Sequence, residues 1–374
     1  MTPRAVPWQA LAPGTRKILI VNPYGIGDVL FTLPLLQALR EALPTTTLGY
    51  LCNRRTESLV RAFPGVHVVR VFEKDEFRTR WRQSKRQWLA DVRTLAQTLL
   101  RDRWDIAMDL SLNWQFGAAL AWLGIPRRCG FDFRGRGRFL TDRLPLAGFD
   151  DRPVADYYLD LLQLLGLPRP ARPALSLPLP PAAMQEAGDW LAQSGVTRDR
   201  PIIGLVPGGG ASWGPQGAAK RWPPAAFAEL GDRLADAAHG QLVLFGDLAD
   251  RAVCDTVAGA VRHPAVIVGP APSLLVLAGA LRHCRLVVGN DSGALHVAAA
   301  VGVPSVAIFG PASPLVYGPY PPAAQDRHRV AVKTLACRPC YARFRLPPCP
   351  WEFRCLTTLP PADVYSIAQP LLAA

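Results

Sequence analysis

Short runs of continuous Val, Ile and Leu recur along this chain, each closed by a glycine or polar turn and followed by an apolar or alanine-rich stretch. The first is Lys17-Ile18-Leu19-Ile20-Val21-Asn22; Pro23 to Asp28 is its turn, and Val29 to Arg40 reads as an apolar helix. Uninterrupted apolar runs of this length suit strands buried on both faces, the strands of a parallel, helix-covered sheet. The second half repeats the unit more regularly. Strands are expected at 201–206, 241–246, 265–269, 285–289 and 304–310, most of them separated by helical stretches of about 8–15 residues, with a short helix at 184–194. In the first half strands are expected at 17–22, 47–52, 67–72 and 105–110, and the pattern is less clean. Between the halves, Leu167 to Pro181 holds six prolines, which forbid a regular helix and favour an extended connection. The domain boundary is placed inside it, giving domains 1–172 and 173–360 and a terminal helix at 361–374.

A chain of 374 residues, 49% of them hydrophobic, is long enough for two cores. No apolar window reaches the length of a membrane span, and Met1 to Trp8 lacks the apolar core of a signal peptide, so a cytoplasmic location is expected. The eight cysteines are then not expected to form a disulfide framework. The net charge of +13 is unevenly placed. Arg78, Arg80, Arg82, Lys85, Arg86, Arg93 and Arg101 are interleaved with Trp81 and Trp88 ahead of Trp104; a second group comprises Arg127, Arg128, Arg134, Arg136, Arg138 and Arg143. A solvated basic face is one reading; a surface for an anionic partner, such as phosphorylated lipid or acidic sugar, is the other. Nothing matches the spacing of a helix-turn-helix, an RNA-recognition motif or a zinc finger, so no nucleic-acid partner is expected.

The candidate chemistry lies at strand ends. The run Val288-Gly289 passes through Asn290-Asp291-Ser292-Gly293 directly into an Ala-rich helix carrying His296. A helix N-terminus presents unpaired N–H groups and a partial positive charge, which suits a phosphate. Asp291 and His296 flank that position; a capping aspartate and a packed histidine are the plainer alternative. Gly208, Gly209 and Gly210 follow another strand, where backbone N–H groups can approach phosphate closely. Gly246-Asp247-Leu248-Ala249-Asp250 ends a third, and acidic residues there often bond ribose hydroxyls; Asp250 is favoured over Asp247. Gly25-x-Gly27-Asp28 is part of a dinucleotide fingerprint without its third glycine. It places Asp28 in the first turn of a helix, at the carboxyl end of the first strand. Separately, Cys337, Cys340, Cys349 and Cys355 put four thiols within 19 residues of a Pro- and Arg-rich segment. That set suits tetrahedral zinc or iron, with free reduced thiols as the alternative. Cys52, Cys129, Cys254 and Cys284 are scattered and read as core or surface residues.

The Gly-x-Gly-Asp turn, together with the run Asn290-Asp-Ser-Gly-x-x-His-x-Ala-Ala that continues to Phe309-Gly310-Pro311, resembles glycosyltransferase family 9, the heptosyltransferases of lipopolysaccharide cores and their relatives. The resemblance extends from about Lys17 to the C-terminal helix. It implies an α/β fold of the GT-B class, two Rossmann-like domains facing a central cleft, with the acceptor on the first and the nucleotide sugar on the second. The terminal helix 361–374 is expected to pack back on the first domain. The resemblance makes Asp28 the general base of an inverting transfer, flanked on the acceptor side by Gly25 and Gly27. It sets Lys220, with Arg221 as substitute, near the diphosphate, although the stretch 211–219 is looser than the family pattern. Asp291, Ser292 and Gly293 are to hold phosphate or sugar hydroxyls, and His296 matches the motif histidine. No catalytic metal is expected, and no Asp-x-Asp pair lies in a suitable turn. The expected donor is ADP-heptose and the expected acceptor an anionic glycolipid, with Arg78, Arg80 and Arg82 meeting it at the inner membrane surface. Family members that glycosylate autotransporter proteins carry iron on four cysteines. That implies iron beside zinc for Cys337–Cys355, and leaves a protein or small-molecule acceptor, or a non-catalytic nucleotide-sugar-binding role, as alternatives.

Overall fold

The computed structural model describes residues 16–197 and 199–373. The N-terminal stretch read as lacking a signal core lies outside the described residues. The chain forms two compact units, Met1–Gly148 with Ala155–Pro173, and Phe149–Val154 with Ala174–Ala374. The changeover at 173/174 falls within the proline-rich connection.

The first unit holds six strands: β1 (Lys17–Val21), β2 (Thr47–Cys52), β3 (Val66–Val71), β4 (Ile106–Asp109), β5 (Arg127–Phe133) and β6 (Asp142–Leu146). All pair in parallel, in the order β3-β2-β1-β4-β5-β6. Because β1 runs between β2 and β4, consecutive crossovers turn in opposite directions from it, and the gap between β1 and β4 is a topological switch point. Open α/β sheets bind ligands outside the carboxyl ends of the strands at such points. Leu19 and Val21 point to one face, where they pack with Leu51, Ala107, Leu99, Trp104 and Leu120; strand alternation puts Ile18 and Ile20 on the other, and both are fully buried. The basic stretch after β3 forms two helices, Lys74–Gln83 and Lys85–Asp102, with Ser84 capping the second through the Gln87 N–H. Trp81 (47% exposed) and Leu89 (60%) stand out to solvent on them.

The second unit repeats the plan with β7 (Ile202–Val206), β8 (Gln241–Phe245), β9 (Ala265–Val268), β10 (Leu286–Asn290), β11 (Ser305–Phe309) and β12 (His328–Val332). The order β12-β11-β10-β7-β8-β9, again all parallel, places a second switch point between β7 and β10. Ile203, Leu205, Leu242, Leu244, Leu286, Val288, Val306 and Ile308 line one face of this sheet under Phe227, Leu230 and Leu234 of the helix Pro224–Ala238. The C-terminal helix Pro361–Leu372, expected to pack on the first domain, instead buries Val364, Ala368 and Leu371 in this same core. Its apolar stripe finds a ready partner there, and full burial of a leucine side chain stabilises by about 2 kcal/mol.

Three strands escaped the hydrophobic pattern. β5 opens on Arg127-Arg128 and contains Gly130, β6 contains Pro145, and β12 begins His328-Arg329. β6 and β12 are edge strands, where proline and charge are tolerated and serve to blunt the edge. Arg127 is nonetheless buried, paired with Asp142 at 3.2 Å.

Candidate active site

At the second switch point the sequence motifs converge on one side chain, Asn290, the last residue of β10 and fully buried. Its Nδ2 donates to the carbonyls of Pro207 (2.7 Å) and Gly208 (3.0 Å), and its Oδ1 accepts the Trp222 backbone N–H at 2.9 Å. One amide thereby ties together the glycine turn, the Lys220-Arg221-Trp222 segment and the start of the helix Gly293–Ala300. The glycines are sterically required. A Cβ on Gly208 would meet the Asp250 carboxyl carbon at 2.1 Å, and Gly209, at φ +99°, would meet the Ser292 Cβ at 2.7 Å.

Lys220 Nζ approaches Asp291 Oδ2 at 2.6 Å with both side chains buried. The approach is a charge contact outside directed hydrogen-bond geometry, and Asp291 Oδ2 and Ser292 Oγ are buried without a hydrogen-bond partner among the described residues. Unpaired buried polar atoms at a helix N-terminus call for a ligand or ordered water. His296 lies 3.9 Å from Asp291. Burial pulls its imidazole down to about 4, and the nearby Lys220 charge adds to that against the pull of Asp291, so the ring is neutral and the contact is no ion pair at pH 7. Asp291, Ser292 and His296, with Phe309 and Pro319, line a small pocket. Arg221, expected as a substitute for Lys220, is engaged elsewhere: its Nη2 meets Asp250 Oδ1 at 3.0 Å and its Nε donates to the Gly209 carbonyl at 3.1 Å. Asp250 Oδ1 also accepts the Gly209 N–H at 3.1 Å, so it braces the glycine turn. Asp247 caps the short helix Leu248–Asp250.

At the first switch point Gly25 is the N-cap of the short helix Ile26–Leu30, with Gly27 and the half-buried Asp28 in its first turn. Three strands fasten this loop. From the end of β1, Asn22 Nδ2 donates to the Asp28 carbonyl (3.0 Å); after β2, Asn53 Nδ2 donates to the Tyr24 carbonyl (2.6 Å); beyond β4, the Ser111 carbonyl accepts the Tyr24 hydroxyl. Ser111 is set in turn by its N–H bond to Asp109 Oδ1 at 2.9 Å. Burial pushes the Asp109 carboxyl up to about 6 against the two Ser111 bonds that lower it. Burial, with Asp109 and Asp28 close by, likewise raises the Tyr24 hydroxyl, which therefore stays a donor.

Arg78, Arg80 and Arg82 all lie on the exposed helix Lys74–Gln83, Arg80 paired with Asp91 at 2.7 Å. That helix is anchored beside the Asp28 loop: Arg54, next to Asn53, pairs with Glu76 at 3.0 Å. Part of the second basic group, read from the sequence as a solvated face or a surface for an anionic partner, stands at the carboxyl end of β5. Arg134 stacks over Phe133 (4.8 Å), Arg138 over Trp114 (4.9 Å), and Arg136 acts electrostatically on Tyr24.

Cys337 is exposed, Cys340 and Cys349 are half-buried and Cys355 is buried. Burial raises the Cys340 and Cys355 thiols, the neighbouring cysteines adding to it, and Phe353 N–H donates to Cys349 Sγ at 3.3 Å. Yet among the described residues no three Cys, His, Asp or Glu side chains stand close enough together to hold a metal ion. As found, the thiols are not a closed ligand set. Cys52, Cys129, Cys254 and Cys284 are all buried, as core residues.

Two helix-covered parallel sheets of the same strand order, each with a switch point at the carboxyl ends of its strands, give the chain an α/β fold of the GT-B class. Residues 92–345 match the model of glycosyltransferase family 9 (heptosyltransferase), and the chain belongs to that family. It is 28% identical over 320 residues to lipopolysaccharide heptosyltransferase 2 of Escherichia coli strain K12, covering 80% of this chain and 84% of that one. Its fold matches the structure of E. coli ADP-heptose lps heptosyltransferase II with a TM-score of 0.75 at 24% identity, covering 96% of this chain and 98% of that one. A family 9 glycosyl transferase from Veillonella parvula matches with a TM-score of 0.79 at 23% identity, covering 97% and 99%. No helix among the described residues is long and apolar enough to cross a membrane.

Proposed function

We propose that this glycosyltransferase moves heptose, with inversion, from ADP-heptose to an anionic glycolipid of the lipopolysaccharide core. The observation that carries the reading is the second switch point. There a buried Lys220–Asp291 pair and an unpartnered Ser292 hydroxyl sit at a helix N-terminus, in a chain whose relatives are named heptosyltransferases. The diphosphate lies against the N–H groups at Ser292 and Gly293 and the Gly208–Gly210 turn, with Lys220 meeting the charge that grows on the leaving group. His296 is a neutral partner for a sugar or phosphate oxygen, and Asp250 faces the ribose.

At the first switch point Asp28 takes the proton of the acceptor hydroxyl as that oxygen bonds the anomeric carbon. The diphosphate leaves from the opposite face with the electron pair of the broken C–O bond. Gly25 and Gly27 keep the loop open to the acceptor. Arg78, Arg80 and Arg82, with Arg134, Arg136 and Arg138, meet its phosphates and carboxylates at the cytoplasmic surface of the inner membrane. Cys337, Cys340, Cys349 and Cys355 would hold a structural zinc or iron ion, outside the chemistry. Elemental analysis of purified protein, with Cys340→Ser as control, tests that point: one metal per chain lost in the variant supports it, and none in either refutes it.

The transfer itself is tested by incubating the protein with ADP-heptose and lipopolysaccharide from a heptose-deficient strain. ADP release matched by one heptose of mass gain on the glycolipid is expected. ADP-heptose left intact, or heptose found only on protein, contradicts the reading.

A further inference from the structure

Lys220 is held from a second side that the family motif does not describe. Its Nζ stands 4.4 Å from the centroid of the Trp213 ring. Trp213 is stacked on Tyr341, with ring centroids 4.4 Å apart and planes inclined by 26°, and Tyr341 leans on Tyr317 at 5.8 Å. Trp213 comes from the loose stretch 211–219, a kinked 3-10 segment that turns at Gly214 (φ 58°). Tyr341 directly follows Cys340, inside the four-thiol segment.

That segment is fastened to the donor side of the unit at both ends. The N–H groups of Cys340 and Tyr341 both bond the carbonyl of Pro311 at 3.1 Å, the residue that closes the long motif. Arg338 adds Nη2 to the Ala312 carbonyl and Nη1 to the Lys333 carbonyl, each at 3.2 Å. At the far end, the Leu359 carbonyl accepts the indole N–H of Trp222, two residues after Lys220, at 3.1 Å. A lysine ammonium on a four-carbon stem samples many rotamers, and confining it has an entropic cost. An aromatic face offsets that cost and attracts the charge.

We propose that Trp213 and Tyr341 are positioning residues for Lys220, and that the cysteine segment is thereby a structural arm of the donor site. The stacked rings fix the ammonium beside the N-terminus of Gly293–Ala300, where it meets a nucleoside diphosphate; this part rests on the donor reading above. The half-buried position of Tyr341 makes substitution there compatible with folding, checked by urea midpoints.

The experiment compares Tyr341→Ala and Tyr341→Phe, each in wild-type and Lys220→Ala backgrounds. ADP affinity is read by calorimetry. Lys220 acylation in the absence of nucleotide is read by peptide mass spectrometry. Tyr341→Ala should weaken ADP binding about fivefold and speed Lys220 acylation. Tyr341→Phe, which keeps the ring, should restore both. In the Lys220→Ala background Tyr341→Ala should change ADP affinity no further. Unchanged Lys220 acylation in Tyr341→Ala, or an ADP loss that persists without Lys220, overturns the proposal. A wild-type protein that binds no ADP overturns the donor reading instead, and acylation then decides the positioning alone.

Discussion

At the carboxyl end of β10, Asp291 is 3% exposed, paired with a buried lysine and flanked by a neutral histidine. At the carboxyl end of β1, Asp28 is half-buried, and in the same unit Arg78, Arg80 and Arg82 lie exposed on the helix Lys74–Gln83. The strand order around the two points is the same. The same scaffold thus carries one site whose charges are buried, the dry one, and another whose arginines stand on the surface, the wet one. Fixed dipoles and charges in a water-poor site stabilise a recurring charge distribution, as a diphosphate leaving group requires. Exposed arginines suit a large, variable anion met at a surface, where screening keeps each contact weak.

The largest expected effect separates catalysis from donor binding. Asp28→Asn should cut turnover by about a hundred- to ten-thousandfold and leave ADP affinity unchanged in calorimetry. Next, Lys220→Ala leaves Asp291 buried and uncompensated, and should destabilise the second unit by about 3 kcal/mol in urea unfolding. The double change Lys220→Met with Asp291→Leu should recover most of that stability but no ADP binding.

Buried titratable groups in both units also predict a pH dependence. His296 and His328 are each held down to about 4, chiefly by burial, from an ordinary 6.5. Unfolded histidines therefore bind protons that the folded ones refuse. Stability is full above pH 6.5 and is lost as pH falls toward 4. Asp109 works oppositely: raised to about 6, it favours the fold at low pH, and that contribution disappears as pH rises from 3.8 to 6. Urea midpoints from pH 7 to 4.5 should fall with acid, and fall less in His328→Gln. The smallest effect belongs to the wet site. Arg78, Arg80 and Arg82 changed together to Ala should raise the KM for a vesicle-borne acceptor about tenfold at low salt, an effect that shrinks with added salt and leaves ADP affinity alone.

The β1, β4, β7, β8, β10 and β11 strands were legible because each is buried on both faces and reads as an unbroken apolar run. The edge strands β6 and β12 were not, because proline and charge mask a strand that bonds on one side only. The turns after β7 and β10 were legible locally, but their convergence on Asn290 was not, since nothing local joins residues 208, 222 and 290. Tyr24 and Trp213 were missed for a related reason: each acts through a partner far along the chain, Ser111 and Tyr341 respectively. Asp109 left a signal that went unused, a charge closing the apolar run Ile106-Ala107-Met108. The terminal helix was misplaced because its stripe of Val364, Ala368 and Leu371 shows that it packs, and not on what.

The division of labour between the two switch points is decided by titrating ADP into wild-type, Asp28→Asn and Asp291→Ala proteins by calorimetry. Wild-type and Asp28→Asn should bind alike, and Asp291→Ala should not bind. Undiminished binding by a folded Asp291→Ala protein, or its loss in Asp28→Asn, would contradict the assignment of donor and base to these two sites.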